Sequence, residues 1–291
     1  MSELLAADTA MGPVTLRVGD LERMAAYYRD GAALRVLDES GGTVTLGRGT
    51  TPVVILEHAP ELKQASPRDA GLFHTPILFD TEEALAAAVY SVAQKYPKTF
   101  TGSSDHLVSK AFYFSDPEGN GVELYWDRER SAWSWVHGSV EMSTLFLDPN
   151  RFLEENLTDA AAADPVIGGA RVGHVHLQVG DTETAREFYV NQLGFEATAE
   201  LAGTALFVSA GGYHHHMAMN TWNSKGAGPR QLALGLSRID IQVPTADDIG
   251  TLSERLKHYG RDARNDGRAV SFDDPWANLI TVSLASSGLS T

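Results

Sequence analysis

Two stretches of the chain read alike: VTLRVGDLERMAAYYRDGAALRVLDE, residues 14–39, and VHLQVGDTETAREFYVNQLGFEATAE, residues 175–200. Each opens with a short run that alternates along the two-residue period of a strand. A Gly-Asp pair follows. Its carboxylate (Asp20, Asp181) stands where it can accept from the free N–H groups of a first helical turn. The next residues carry an apolar face at helical spacing, and another strand-like run comes after them. Further strand-like runs, 43–46 and 53–57 in the first copy and 205–208 and 214–219 in the second, complete a β-α-β-β-β unit in each.

Two more segments fit the same plan. The first runs from Leu72 to Trp126, with HTPILF as strand and TEEALAAAVYSVAQKY as helix. The second runs from Leu236 to Leu284, with RIDIQV as strand and DDIGTLSERLKHY as helix. Their last hairpins match as well: SDPEGNGVEL (115–124) against DDPWANLITV (273–282), each with turn residues between two strands. The predicted fold class is therefore α+β, four β-α-β-β-β modules paired into two curved-sheet domains. The expected division is an N-terminal domain over 1–135, a linker over 136–165 and a C-terminal domain over 166–291. Within the linker, FLEENL reads as a helix. A single module leaves one sheet face uncovered, and pairing two closes a curved sheet around a cleft where function should lie.

Composition removes several classes of function. The 291 residues are 43% hydrophobic and 21% charged, an ordinary globular balance with room for two cores. A net charge of −15 repels nucleic acid and anionic lipid, so neither is an expected partner. With no cysteine there is no disulfide, no thiolate metal site and no Cys nucleophile. The start, MSELLAADTAMG, has neither the basic nor the apolar region of a leader, and no apolar run reaches membrane-spanning length, so a cytoplasmic location is expected. Phosphate-cradling glycine motifs and a G-x-S-x-G elbow are absent.

Three side chains recur at repeat positions suited to a metal. His174 lies seven residues before the cap Asp181 in module three. His74 lies seven before the cap Thr81 in module two, and Glu123 stands on the last strand of that module. Modules one and four place Pro13, Ser237 and Thr281 at the matching positions, which confines the ligands to modules two and three. Two neutral imidazoles and one carboxylate leave open positions, the arrangement of a non-haem Fe(II) oxygenase; a structural zinc site would be closed by four ligands. Tyr113, on the strand expected to pair with that of Glu123, can reach the same cleft, and His106 falls in the loop before it. The run Tyr213-His214-His215-His216 is read on the last strand of module three. Strand alternation then puts His214 and His216 on one face and His215 on the other. A histidine facing the cleft without binding metal could act as general base. His176, His214 and Trp222 are candidate substrate contacts, while His58, His137 and His258 read as solvated.

At these residues the sequence resembles the vicinal oxygen chelate superfamily, which includes glyoxalase I, bleomycin-resistance proteins and type I extradiol dioxygenases. The segment from His106 to Glu123 is similar to the extradiol signature: His, a spacer, Phe112-Tyr113, two residues, Asp-Pro-x-Gly, then Glu. Only Ser104, at its first position, departs. GHVHLQVGD (173–181) and GGYHHHMAMNTWNSKGAG (211–228) look like the CatE/MhqO-type ring-cleaving subgroup. The resemblance implies His74, Glu123 and His174 as ligands of Fe(II), or of Mn(II). It further implies His216 as the active-site acid–base, Tyr113 and His106 beside the substrate, and an aromatic diol and O2 as partners, in a chain that could form a homo-oligomer. Two rivals are carried forward. A glyoxalase I-like lyase or isomerase would usually bring a second carboxylate, where this chain offers its His run. A non-catalytic small-molecule binding or resistance protein would need no ligands at all.

Overall fold

Helix starts fall where the sequence puts them, because each has a side-chain acceptor waiting. Asp20, Thr81, Asp181 and Thr245 each accept from the backbone N–H three residues on, and Thr245 completes a capping box with Asp248. The helices of modules one and three are short, Leu21–Ala26 and Thr182–Arg186, and each runs on into a π-helical turn, Tyr27–Gly31 and Glu187–Gln192. Those wider turns carry Tyr28 and Tyr189 inward. Tyr28 donates to Asp116 in the hairpin turn of module two, and Tyr189 donates to Asp274 in the matching turn of module four. Each tyrosine thus ties its module to the next one along the chain.

The computed structural model describes residues 4–285. Residues 1–3 and 286–291, at the ends of the two expected domains, lie outside the described residues. The four modules are present, and their strands form two large curved sheets. Their pairing corrects the expected division. Strands Ala10–Val18 and Gly235–Val243 join antiparallel, so modules one and four share one sheet of eight strands. Strands Gly71–Phe79 and Val175–Gln178 join antiparallel, so modules two and three share the other. Spans 1–135 and 166–291 therefore each contribute a module to both sheets. The physical reason is that every module offers the same free edge, its first strand, so repeat pattern alone does not choose the partner.

The FLEENL segment is helical within Pro149–Asn156, capped by Asp148. The other end of the linker is pinned by Arg48. Its guanidinium is buried, donates to the carbonyl oxygens of Ala33, Pro165 and Ile167, and lies over the Phe79 ring. One continuous apolar cluster joins residues of both sheets and of the helices, among them Leu16, Phe79, Phe112, Phe188 and Phe272. No helix among the described residues is long and apolar enough to cross a membrane.

Candidate metal centre

Strand register decides where the three candidate ligands meet. His74 on Gly71–Phe79 is the cross-strand partner of His176, so His174, two residues earlier, leans over the same face. Gly121–Asp127 runs parallel to Gly71–Phe79, with Pro76 opposite Glu123. Two glycines permit the close approach. A Cβ on Gly121 would sit 2.4 Å from the Phe73 carbonyl oxygen, and one on Gly173 would sit 2.0 Å from the Tyr125 hydroxyl, which is the partner of His174.

The result is a buried cluster of three. His74 Nε2 and His174 Nε2 each lie 2.9 Å from Glu123 Oε2, and one ligand atom from each residue falls within 4.8 Å of the others. Relative exposures are 6%, 2% and 3%, so water does not satisfy them. His74 Nε2 and Glu123 Oε2 have no hydrogen-bond partner among the described residues. Buried polar atoms left unpartnered are costly; these two, converging with His174 Nε2, fit a shared divalent cation. The 2.9 Å edges suit neighbouring ligands about 2.1 Å from an octahedral ion. Burial pushes the Glu123 carboxyl up, yet the adjacent imidazoles of His74 and His174 outweigh it and hold the group well below the usual carboxylate range. Burial lowers His174 against an opposing pull from Glu123, which favours the neutral imidazole a metal needs.

Around the cluster opens a cavity of about 990 Å³. Tyr113 faces Glu123 across the antiparallel pair, as its strand position predicts, and donates to Glu123 Oε1 at 3.0 Å. Burial, then the Glu123 charge, holds the Tyr113 phenol well above its ordinary value. His106 lies in the loop before that strand. Its Nε2 is 2.7 Å from the Tyr113 hydroxyl, and its Nδ1 donates to the Ser143 carbonyl oxygen. His176 and Trp222 line the cavity with Phe73, ring centroids 4.8 and 5.3 Å from it. Asn220 Nδ2 donates to His176 Nε2, and burial keeps His176 well below the usual imidazole range.

The histidine run departs from expectation. Strand Met217–Asn220 begins only after it, and Gly211 and Gly212, both at positive φ, turn the chain just before it. Strand alternation therefore does not apply to residues 214–216. His215, not His216, lines the cavity, its ring centroid 4.3 Å from that of His174. His214 is fully buried and faces away, with Nε2 2.9 Å from Asp127 Oδ1 and Nδ1 2.7 Å from His215 Nδ1. His216 packs beside Phe195 and Tyr213, and its Nδ1 accepts from the Ala210 backbone N–H and lies 3.1 Å from Ser209 Oγ. The glycine pair before the run was the available signal. Sequence reasoning also missed Asp127, Tyr125 and Phe73, none of which stands at a conspicuous repeat position. His58, His137 and His258 are exposed, as expected.

His216 has a stability consequence of its own. Burial, then the neighbouring His214, lowers it from 6.5 to about 3. Below pH 6.5 the unfolded chain takes a proton that the folded chain refuses, so stability is present above that pH and drains away on acidification. His216→Asn keeps an acceptor for Ala210 and removes the proton site. Between pH 7 and 5 the native chain should lose about 2 kcal/mol more than this variant. Urea unfolding at the two pH values measures the difference, and equal slopes would contradict the assignment.

Fold and cluster together define the class, paired β-α-β-β-β modules of vicinal oxygen chelate type around a candidate metal site. The chain belongs to the Glyoxalase/Bleomycin resistance protein/Dioxygenase superfamily, whose sequence model matches residues 10–124 and 171–282. It is 34% identical over 273 residues to a catechol-2,3-dioxygenase of Bacillus subtilis (strain 168), covering 92% of this chain and 94% of that one. Among solved structures, a putative dioxygenase from Bacillus subtilis aligns with TM-score 0.66 at 15% identity, covering 96% of this chain and 86% of that one. Glyoxalase I from Zea mays aligns with TM-score 0.57 at 15% identity, covering 95% and 92%. At such identities these structures speak to the fold.

Proposed function

We propose that this protein is an extradiol dioxygenase that opens the ring of a catechol- or hydroquinone-type aromatic with O2, using Fe(II), or alternatively Mn(II), held by His74, Glu123 and His174. The observation that carries the reading is the three-member cluster on the wall of a cavity that His215, Tyr113 and His106 also line. The similarity to a catechol-2,3-dioxygenase along nearly the whole chain supports it. A divalent ion bound there supplies adjacent open positions for the diol oxygens and O2, and a site charge of +1 that favours an ionised diol. The glyoxalase-like alternative is less well supported. It calls for a further carboxylate, and the cluster of ligand atoms among the described residues has three members.

The chain's own residues divide the remaining work. His215, kept neutral because burial, then His174 and His214, hold it well below the usual imidazole range, accepts a diol proton. Tyr113, still protonated, gives its hydrogen bond to Glu123 Oε1 and fixes that carboxylate. His106 Nε2 lies beside the same hydroxyl, 2.7 Å away. Phe73, Trp222 and Phe207 wall the cavity and exclude water from the reacting ring. The test is direct. Chain purified without a His tag, loaded with Fe(II) under anaerobic conditions and then given catechol and air should consume O2 and form a yellow ring-opened product. Stoichiometric iron without O2 uptake, across a panel of diols, would remove the oxygenase reading.

Cavity chemistry narrows the substrate. At about 990 Å³ it lies at the upper end of the range for whole small-molecule ligands, more than one bare ring needs. Among the described residues no Lys or Arg lines it, while Glu118 and Glu200 do. A diol bearing a neutral apolar substituent fits this lining, and a carboxylate substituent would meet no cation. The kcat/KM for an alkyl- or aryl-substituted catechol should exceed that for a carboxylate-bearing catechol of similar size by at least about tenfold. Steady-state O2 uptake compares the two, and a preference for the acid would contradict the reading.

A further inference from the structure

Asp127 ends the strand that carries Glu123, four residues further on, and its carboxylate receives two arms of a buried network. On one side the Tyr213 hydroxyl donates to Oδ2 at 2.6 Å; the Tyr125 hydroxyl lies 3.4 Å from that of Tyr213 and 3.0 Å from His174 Nδ1. On the other side His214 Nε2 lies 2.9 Å from Oδ1, and His214 Nδ1 lies 2.7 Å from His215 Nδ1. Tyr125, Tyr213, His174, His214 and His215 are all buried, so water does not reset the direction of these bonds.

Proton counting gives the network one sense. An ionised carboxylate only accepts, so both neighbours must donate to it. Tyr213 spends its single hydrogen on Asp127 and must accept from Tyr125. Tyr125 then spends its own hydrogen and must accept from His174 Nδ1–H, which leaves the lone pair of His174 on Nε2, the atom beside Glu123. In the second arm a neutral His214 with its hydrogen on Nε2 presents a lone pair at Nδ1. His215 must therefore carry its hydrogen on Nδ1, which leaves the Nε2 lone pair to the cavity it lines.

We propose that Asp127 is the positioning residue that fixes both tautomers at once, setting His174 Nε2 as the ligand atom and His215 Nε2 as the proton acceptor. Its kinetic consequence rests on the dioxygenase reading; the tautomers do not. Hydrogen bonds that orient metal-bound and catalytic imidazoles are worth about 10–100-fold in affinity or activity. The mixed tautomers expected without the carboxylate would leave part of the His215 population with an N–H where the diol proton must go.

The experiment uses the full-length chain labelled with 15N-histidine and loaded with Zn(II) as a diamagnetic probe. Long-range proton–nitrogen spectra should show His214 protonated at Nε2 only and His215 at Nδ1 only. Asp127→Asn, whose amide can donate as well as accept, should mix or invert the His215 tautomer. Tyr213→Phe cuts only the His174 arm and should leave His215 as it is. In Fe(II)-loaded protein Asp127→Asn should lower kcat by about 10–100-fold while KM moves less than about threefold. A doubly protonated His214, or a His215 protonated at Nε2 in the native chain, overturns the proposal whether or not the variant folds. So does an Asp127→Asn protein with an unchanged His215 tautomer. Native tautomers as described in a protein that cleaves no diol would instead overturn the dioxygenase reading and leave this one standing.

Discussion

Glu123→Ala should leave less than about a tenth of the native iron content under matched loading and lower turnover by more than about 1000-fold. Glu123 is the one anion among the three candidate ligands, and it is the hinge of the cluster, since both Nε2 atoms lie 2.9 Å from its Oε2. Removing it leaves two imidazoles that touch nothing charged and a divalent ion with no compensating ligand charge. Glu123→Gln separates charge from shape. The amide fills the same space in the sheet, so the strand pairing of Glu123 with Tyr113 has no reason to change. Iron binding should still fall, because a neutral amide oxygen neither balances the ion nor polarises its neighbours as a carboxylate does. Metal analysis after gel filtration and far-ultraviolet circular dichroism on the same samples read ion content and fold separately. A folded Glu123→Ala protein that keeps stoichiometric iron and turns over within tenfold of the native rate would show that the ion sits elsewhere.

How much of this could be read beforehand follows from what a repeat records. Spacing from the helix caps Thr81 and Asp181 located His74 and His174, because both sit at one point of a rigid strand-to-helix unit. Tyr113 was legible for a similar reason: two strands joined by the tight Asp116–Asn120 turn must bring it opposite Glu123. Module pairing was not legible, since Val14 opposite Ile239 and Leu72 opposite Leu177 are apolar matches that other combinations would make equally well. The distribution of the candidate ligands, with His74 and Glu123 in one module and His174 in the next, was the better guide. Residues 213–216 resisted reading because they lie between a glycine turn and a strand, where neither the two-residue nor the 3.6-residue period applies. Asp127 escaped notice because a polar residue at a strand end is ordinary; only the arrival of Tyr213 and His214 from module three gives it a task.

His215→Ala should lower kcat by about 100- to 10,000-fold while leaving iron content near the native level, and His216→Ala should not. The two residues are neighbours in sequence with opposite surroundings. His215 lines the cavity beside His174 but is outside the three-member candidate cluster, so its loss should remove the proposed proton acceptor and no candidate ligand. Among the described residues its Nδ1 pairs with His214, which leaves Nε2 free for the role proposed for it. His216 packs against Phe195, Tyr213 and Ser209, with Nδ1 already accepting from Ala210, and is not among the residues lining the cavity. Truncating it opens a cavity and orphans a backbone N–H, so its cost should appear as a stability loss of about 1–3 kcal/mol. The pair therefore separates along two axes, turnover for one and unfolding free energy for the other. Single-turnover measurements of O2 uptake, set beside urea unfolding of the same proteins, read both. The reverse pattern would place the proton acceptor on His216 and require that residues 214–216 turn over in the working enzyme. A parallel loss of iron in His215→Ala would make His215 a fourth ligand. That outcome would close one of the positions that diol and O2 together require, and with it the argument for ring cleavage at this site.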